Sequence, residues 1–191
     1  MKNSIERAVE ILSHDGIIIY PTETIYGLGA DALSDEAIQK VYEAKGRDIG
    51  NPISIAVSDI DMLQTVAYVD SFVEIFIDEF LPGPVTIILP ARSIIPGALT
   101  GGTRRIGIRY PLHKTALAII EAFDSPITAT SANRSGAPDP TSPDECHINH
   151  NFLIDEGKVP GIPSTVVDLI DKKILRCGIH AERIARFLEE E

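Results

Sequence analysis

Residues 16–29 read GIIIYPTETIYGLG. Ile17 to Tyr20 form a short, continuous apolar run with no helical period, the pattern of a buried strand. The run ends at Pro21, and three polar residues follow, Thr22, Glu23 and Thr24. Ligands of open α/β sheets gather beyond such strand ends. Two hydroxyls at that point can hold a small polar substrate, or they can simply organise a turn through local hydrogen bonds. Gly27 and Gly29 let backbone approach closely.

Working outward, helical and strand patterns alternate. Asn3 and Glu6 have capping-box spacing ahead of Ile5, Ala8, Val9 and Leu12, and Gly16 is the expected stop. Ser34 opens a helix through Ala37, Ile38, Val41 and Tyr42 that Gly46 ends. Helices are expected to begin at Ser58 and Asp70, to span 115–123 and 181–190, and to form one short turn after Ser142 with Pro143 leading. Strands are expected over 53–57, 85–89, 105–109, 127–130, 165–170 and 173–176. The interleaving predicts an α/β (α+β-like) fold with a mixed sheet flanked by helices, in a single domain spanning 1–191. The run Glu189–Glu191 reads as a solvated helix end.

Seventeen Lys and Arg against 28 Asp and Glu give 17 − 28 = −11 over 191 residues. Such a surface repels the phosphate backbone of nucleic acid at long range, so tight RNA binding by the whole surface is not expected. No apolar run approaches the ~20 residues of a membrane span. The N-terminus lacks the apolar block of a signal peptide, and two cysteines are no disulfide framework. These features point to a cytoplasmic protein.

The cations are clustered. KGRDIGNP, residues 45–52, puts Lys45, Arg47 and Asn51 within seven positions, a set able to grip a polyphosphate. Lys45 alone also suits a helix C-terminus. In GGTRRIGIRYP, residues 101–111, Arg105, Gly107 and Arg109 share one strand face, with room opened by the glycine. TATSANRSG, residues 128–136, runs a strand into Ser131, Asn133, Ser135 and Gly136, either a Ser-rich turn or an anion nest. Asp139 follows, placed to accept from a ribose or base or to form a turn. PSTVVDL, residues 163–169, sets Ser164 at a strand start, and Arg176 ends another strand. Cys146, His147 and His150 have some metal-ligand character but no second cluster, so no metal site is assigned.

These motifs, with PGPVT at 82–86, stand in the order found in the YrdC-like family of threonylcarbamoyl-AMP synthases, and the chain closely resembles that family over nearly its whole length. The resemblance implies a twisted α/β sheet around a cationic concave cleft, in the short form without a further C-terminal domain. It implies an enzyme that joins L-threonine, bicarbonate and ATP into threonylcarbamoyl-AMP and pyrophosphate, with Mg2+ accompanying ATP. Partner proteins then deliver the group to an adenosine of tRNAs. By the same resemblance, Thr24, Arg109, Ala129 and Ser164 contact threonine. Lys45, Arg47, Asn51, Arg105, Ser131, Asn133 and Arg176 contact the nucleotide, with Lys45 and Arg47 serving catalysis; Asp139 joins the nucleotide set. Two departures stand out. Ala56 aligns with a His of many members, so restoring His is expected to strengthen threonine binding or leave it unchanged. Cys177 replaces a Pro. Two other readings compete: a carbamoyl-adenylate domain of hydrogenase maturation, and a double-stranded RNA or tRNA-binding module without catalysis.

Overall fold

In the computed structural model, which describes residues 2–190, Ile5, Ala8 and Leu12 line the inner face of helix α1 (Lys2–Leu12). The helix is already under way at Lys2, so Asn3 lies inside it rather than capping it; Met1 falls outside the described residues. Its end departs from expectation too. Asp15, not Gly16, takes the left-handed conformation, with φ 55. Gly16 is required for space, because a Cβ there would stand 2.4 Å from Ile11 Cγ2.

The chain continues through β1 (Ile18–Pro21), β2 (Tyr26–Gly29), α2 (Asp35–Lys45), β3 (Ile55–Ala56), α3 (Ile60–Val66), α4 (Ser71–Phe80) and β4 (Val85–Pro90). It then forms α5 (Gly97–Thr100), β5 (Arg105–Arg109), α6 (Lys114–Phe123), β6 (Ile127–Thr128), β7 (Thr130–Ser131) and a 3-10 turn (Pro143–Glu145). It closes with β8 (Phe152–Leu153), β9 (Thr165–Asp168), β10 (Lys173–Arg176) and α7 (Ala181–Glu190). Glu191 lies outside the described residues. Ser34 Oγ caps α2 by accepting from Ala37 N–H at 3.2 Å, and Gly46 ends that helix at φ 56. Asp70 caps α4, whereas Asp59, one residue past the expected Ser58, caps α3 over 2.7 Å. Each such cap contributes ~1 kcal/mol.

The strands form two mixed sheets rather than one. The smaller runs β7-β2-β1-β8 and the larger β10-β9-β4-β5-β3-β6. Residues 127–130, expected as one strand, are shared between them: Thr128 belongs to the larger sheet and Thr130 to the smaller. The strand expected over 53–57 shrinks to Ile55–Ala56, because Ile53 N–H turns to Leu99 O at 3.0 Å and the carbonyl of Ser54 accepts Ala129 N–H. Strand β2 pairs antiparallel with β1, setting Tyr20 opposite Gly27. Both glycines of this strand make room for the Tyr20 ring: a Cβ on either would stand 2.9 Å from it.

Two apolar clusters hold the layers. One joins strands of both sheets to helices α2, α3, α4 and α7, with Leu28, Tyr42, Leu63, Phe76, Ile87 and Ile108 buried in it. Phe187 of α7 packs edge-on against Phe76 and Phe80, with centroids 5.4 and 5.5 Å away. The other joins α1 and α6 to Ile18, Tyr20, Ala56 and Ile127. Full burial of such side chains contributes ~1.5–3 kcal/mol each. No helix among the described residues is long and apolar enough to cross a membrane.

Candidate active site

Where the two sheets meet, a cleft of about 210 Å³ opens, with Thr24, Arg47, Arg109, Ser131, Ser164 and Arg176 among its lining residues. Ala129 lines it as well.

The hairpin turn between β1 and β2 forms one wall. Thr22 organises the turn: its hydroxyl donates to Ile25 O at 2.6 Å and accepts the N–H groups of Thr24 and Ile25, both at 3.2 Å. Since that donation uses the one hydroxyl proton of Thr22, Thr24 is the donor across the 2.8 Å contact between their hydroxyls. Thr24 Oγ1 is therefore left as an acceptor, and Arg109 Nη1 approaches it at 3.4 Å. The turn and binding readings of this segment thus fall to different residues, Thr22 and Thr24.

Arg109 ends β5 and is buried. Its Nη2 donates to Glu23 Oε1 at 2.6 Å. Opposite it in register on β4 stands Thr86, whose hydroxyl lies 2.9 Å from Ser164 Oγ. Ser164 in turn accepts from Arg176, with Nη2 3.0 Å from its Oγ and also bound to its carbonyl. Three guanidinium groups and a chain of hydroxyls therefore converge on one space. Sequence reasoning quoted Glu23 and Thr86 within motifs but gave them no role. A polar residue facing inward from the apolar strand β4 was the available signal for Thr86.

Lys45 occupies a different position from the one its motif suggests. Its Nζ donates to Ser131 O at 2.5 Å, Asn133 O at 2.8 Å and Asn133 Oδ1 at 3.2 Å, which commits all three protons. Ser135 N–H returns to the carbonyl of Lys45 at 3.0 Å. Lys45 thus clamps the loop after β7 at both ends. Burial foremost, helped by the charge of Arg47 and opposed by Asp139, lowers its ammonium to about 8. Asn133 staples the same loop from within: Oδ1 accepts from Ser131 Oγ at 2.6 Å, and Nδ2 donates to Ala137 O at 2.6 Å, Pro138 O at 3.0 Å and Asp139 Oδ1 at 3.4 Å. Asn133 and Asp139 line a neighbouring depression rather than this cleft.

Arg47 is half-exposed at the cleft and donates to Pro52 O at 2.8 Å and Asn51 O at 3.3 Å. Asn51 is exposed, and its carbonyl supports Arg47 while its side chain stays outside the lining. Arg105 shares a strand face with Arg109 but stands apart from the cleft, bound to Asp168 at 2.7 Å and Asp171 at 2.9 Å. Those carboxylates neutralise it, so the expected two-arginine face carries one cleft cation. Between them, Gly107 gives space to Ser54 rather than to a ligand, since a Cβ there would meet Ser54 Oγ at 2.3 Å. The N–H of Ala129 is already given to Ser54 O, leaving its carbonyl side for a ligand. Ala56 is buried in the second apolar cluster and does not line the cleft. Cys146 is buried, its thiol pushed up to about 11 by burial, and Cys177 is exposed. Among the described residues, no group of three or more His, Cys, Asp or Glu is set to hold a metal ion.

This arrangement can be compared with known proteins. The family model Sua5/YciO/YrdC, described as "Telomere recombination", matches residues 10–178. The chain is similar to the threonylcarbamoyl-AMP synthase of Pyrococcus abyssi, 38% identical over 175 residues that cover 87% of this chain and 51% of that protein. The Bacillus subtilis threonylcarbamoyl-AMP synthase is 36% identical over 87% of this chain and 50% of its own length. The chain therefore spans about half the length of these two relatives. The crystal structure of P. abyssi Sua5 complexed with L-threonine matches with a TM-score of 0.89 at 35% identity, covering 94% of this chain and 56% of that one. With the family model covering most of the chain and a shared fold at this identity, the chain belongs to the Sua5/YciO/YrdC family.

Proposed function

We propose that this chain makes threonylcarbamoyl-AMP and pyrophosphate from L-threonine, bicarbonate and ATP, for use by tRNA-modification partner proteins. The observation that carries the reading is the convergence of Arg47, Arg109 and Arg176 with the hydroxyls of Thr24 and Ser164 in one cleft. Cations answer the charges of a triphosphate and a carboxylate, and the hydroxyls suit the polar groups of a small amino acid. The similar P. abyssi protein has been crystallised with L-threonine.

Carbon dioxide, supplied by bicarbonate, adds to the threonine amine, which loses a proton and becomes a carbamate. A carbamate oxygen then bonds to the α-phosphorus as the bond to pyrophosphate breaks. No protein nucleophile is needed, and catalysis is positioning and charge neutralisation. Thr24, Arg109, Ser164 and the Ala129 carbonyl hold threonine. Arg47 and Arg176 meet phosphate oxygens, and Ser131 contacts the nucleotide. Lys45 acts by fixing the loop that bears Ser131, Asn133 and Asp139, and Asn51 acts by supporting Arg47. Mg2+ enters as part of the ATP substrate, held by phosphate oxygens and water, in keeping with the scarcity of carboxylates in the cleft. The unit to which this reaction is assigned is a single YrdC-like domain over 1–191. The exposed thiol of Cys177 suits a reducing cytoplasm, and the charge of −11 suits weak or no direct tRNA binding.

The test is pyrophosphate release from ATP with each amino acid supplied singly, with and without bicarbonate. Release that needs threonine and bicarbonate together supports the reading; equal release without threonine overturns it.

A further inference from the structure

Residues 154–163 cross from β8 to β9 without helix or strand, yet their backbone is pinned along its length. Ile154 N–H goes to Ile19 O at 2.9 Å. The hydroxyl of Tyr26, a buried residue of β2, accepts Glu156 N–H at 3.2 Å and donates to Gly157 O at 2.7 Å. Val159 N–H goes to Thr141 O and Gly161 N–H to Thr24 O, both at 2.8 Å. The Glu156 side chain adds a hold on α6 by accepting from Thr115 Oγ1. Gly157 and Gly161 make the bends, at φ 75 and 81, where other residues are strained. None of residues 155–163 lines the cleft. They nevertheless join its two walls, running from the bond to Thr24 in the hairpin turn into Ser164, just ahead of β9.

We propose that this segment is a strap that fixes the span between Thr24 and Ser164, with Tyr26 as the positioning residue that holds it; this rests on reading the cleft as a threonine site. Gly161 and Ser164 are separated by ~10 Å of chain at most, so the bond from Gly161 ties the Thr24 backbone close to the other threonine-contacting hydroxyl. Thr22 gives the hairpin turn its shape, and the strap gives it its place. Ser164 is held independently, by Arg176 at its carbonyl and by a bridge to Ile179. A slack strap therefore moves the Thr24 wall and leaves the Ser164 wall, with Arg176, where it is. Tyr26 reaches the strap where Glu156 and Gly157 are exposed. Without its hydroxyl, their backbone groups turn to water, so the loss is one of position more than of stability. Misplacing one of two converging contacts weakens binding of a small ligand that must meet both at once.

The experiment follows pyrophosphate release by the wild type and Tyr26→Phe, varying threonine and ATP in turn, with the Gly161 amide exchange rate measured on the same proteins by NMR. In Tyr26→Phe the Gly161 amide is expected to exchange faster. The KM for threonine rises ~3–30-fold, as for the loss of one or two neutral hydrogen bonds, while kcat and the KM for ATP stay close to wild type. An equal rise in both KM values, or a fall in kcat with the threonine KM unmoved, shows that Tyr26 only supports the fold and overturns the proposal. So does an unchanged threonine KM beside faster Gly161 exchange. Wild type whose pyrophosphate release does not depend on threonine overturns the functional reading and this inference with it. Thr115→Val keeps the shape of the residue and frees Glu156 from α6, and is expected to raise the threonine KM in the same way but less. Should Tyr26→Phe fail to fold, an unchanged threonine KM in Thr115→Val decides against the proposal.

Discussion

Ala129 N–H donates to Ser54 O at 2.7 Å, at the point where the chain leaves the six-stranded sheet for the four-stranded one. This bond ties the two sheets together at the edge of the cleft, and Ser54 is held there by pressing on β5 at Gly107. A Cβ on Gly107 would stand 2.3 Å from Ser54 Oγ and 3.1 Å from Ser54 Cβ. Gly107→Ala is therefore expected to destabilise by ~1–3 kcal/mol, the usual cost of overpacking. Adding Ser54→Gly should recover a substantial part of that loss, measured as the denaturant midpoint of the four proteins of the cycle. Strict additivity of the two changes would show that they do not meet.

Arg47 tests the division between fold and chemistry. Its two bonds go to carbonyls of an exposed loop, so Arg47→Ala should shift unfolding by no more than ~0.5 kcal/mol. Loss of a donor to developing phosphate charge should cut pyrophosphate release by at least ~10²-fold. Arg47→Lys should recover only part of the rate, because a point charge does not reproduce a bidentate fork. A destabilised but active Arg47→Ala protein would remove Arg47 from the phosphate site.

Much of this arrangement is legible in local sequence, and the remainder depends on distant partners. Ser34, Gly46 and Asp70 punctuate helices through bonds to residues three or four positions away, so their patterns carry them. Arg109, Ser164 and Arg176 stand at strand ends or a strand start, with Thr24 in the turn just beyond β1, and strand ends are where an α/β sheet opens to a ligand. Arg105 looked equivalent to Arg109 by alternation. Its partners Asp168 and Asp171 lie 63 and 66 residues away, and no spacing rule reports them. The same holds for Lys45, whose protons go to carbonyls of Ser131 and Asn133, 86 and 88 residues on. The division of 127–130 between two sheets was hidden because one extended run satisfies both ladders.

Lys45 carries a pH dependence of known sign. Folding lowers its ammonium from 10.5 to about 8, so between these values the unfolded chain holds the extra proton and this group makes stability rise with pH. The clamp on the loop works the other way, since a neutral amine gives up the charge that strengthens its bonds to Ser131 and Asn133. ATP affinity is therefore expected to weaken above about pH 8 in the wild type, without a fall in melting temperature from this group. In Lys45→Met the affinity should be low and lack that limb. An ATP affinity with the same pH profile in both proteins would show that the clamp does not set the nucleotide site.

Ala56 was expected to tolerate or welcome a histidine. Its side chain is 1% exposed and packs with Ile18, Tyr20 and Ile127, so an imidazole there must displace the core instead of reaching the cleft. Ala56→His should cost ~1–3 kcal/mol and lower the melting temperature by several degrees, without improving the threonine concentration for half-maximal rate. Unchanged stability with tighter threonine binding would contradict this placement.

The central claim is that one cleft joins a threonine carbamate to AMP, and the product reports on it directly. Incubating the protein with ATP, L-threonine and isotopically labelled bicarbonate, then resolving nucleotides by mass, should give an adenylate that contains the bicarbonate carbon and the threonine nitrogen, formed in step with pyrophosphate. An adenylate of threonine without the labelled carbon, or ATP turnover indifferent to bicarbonate, would contradict it.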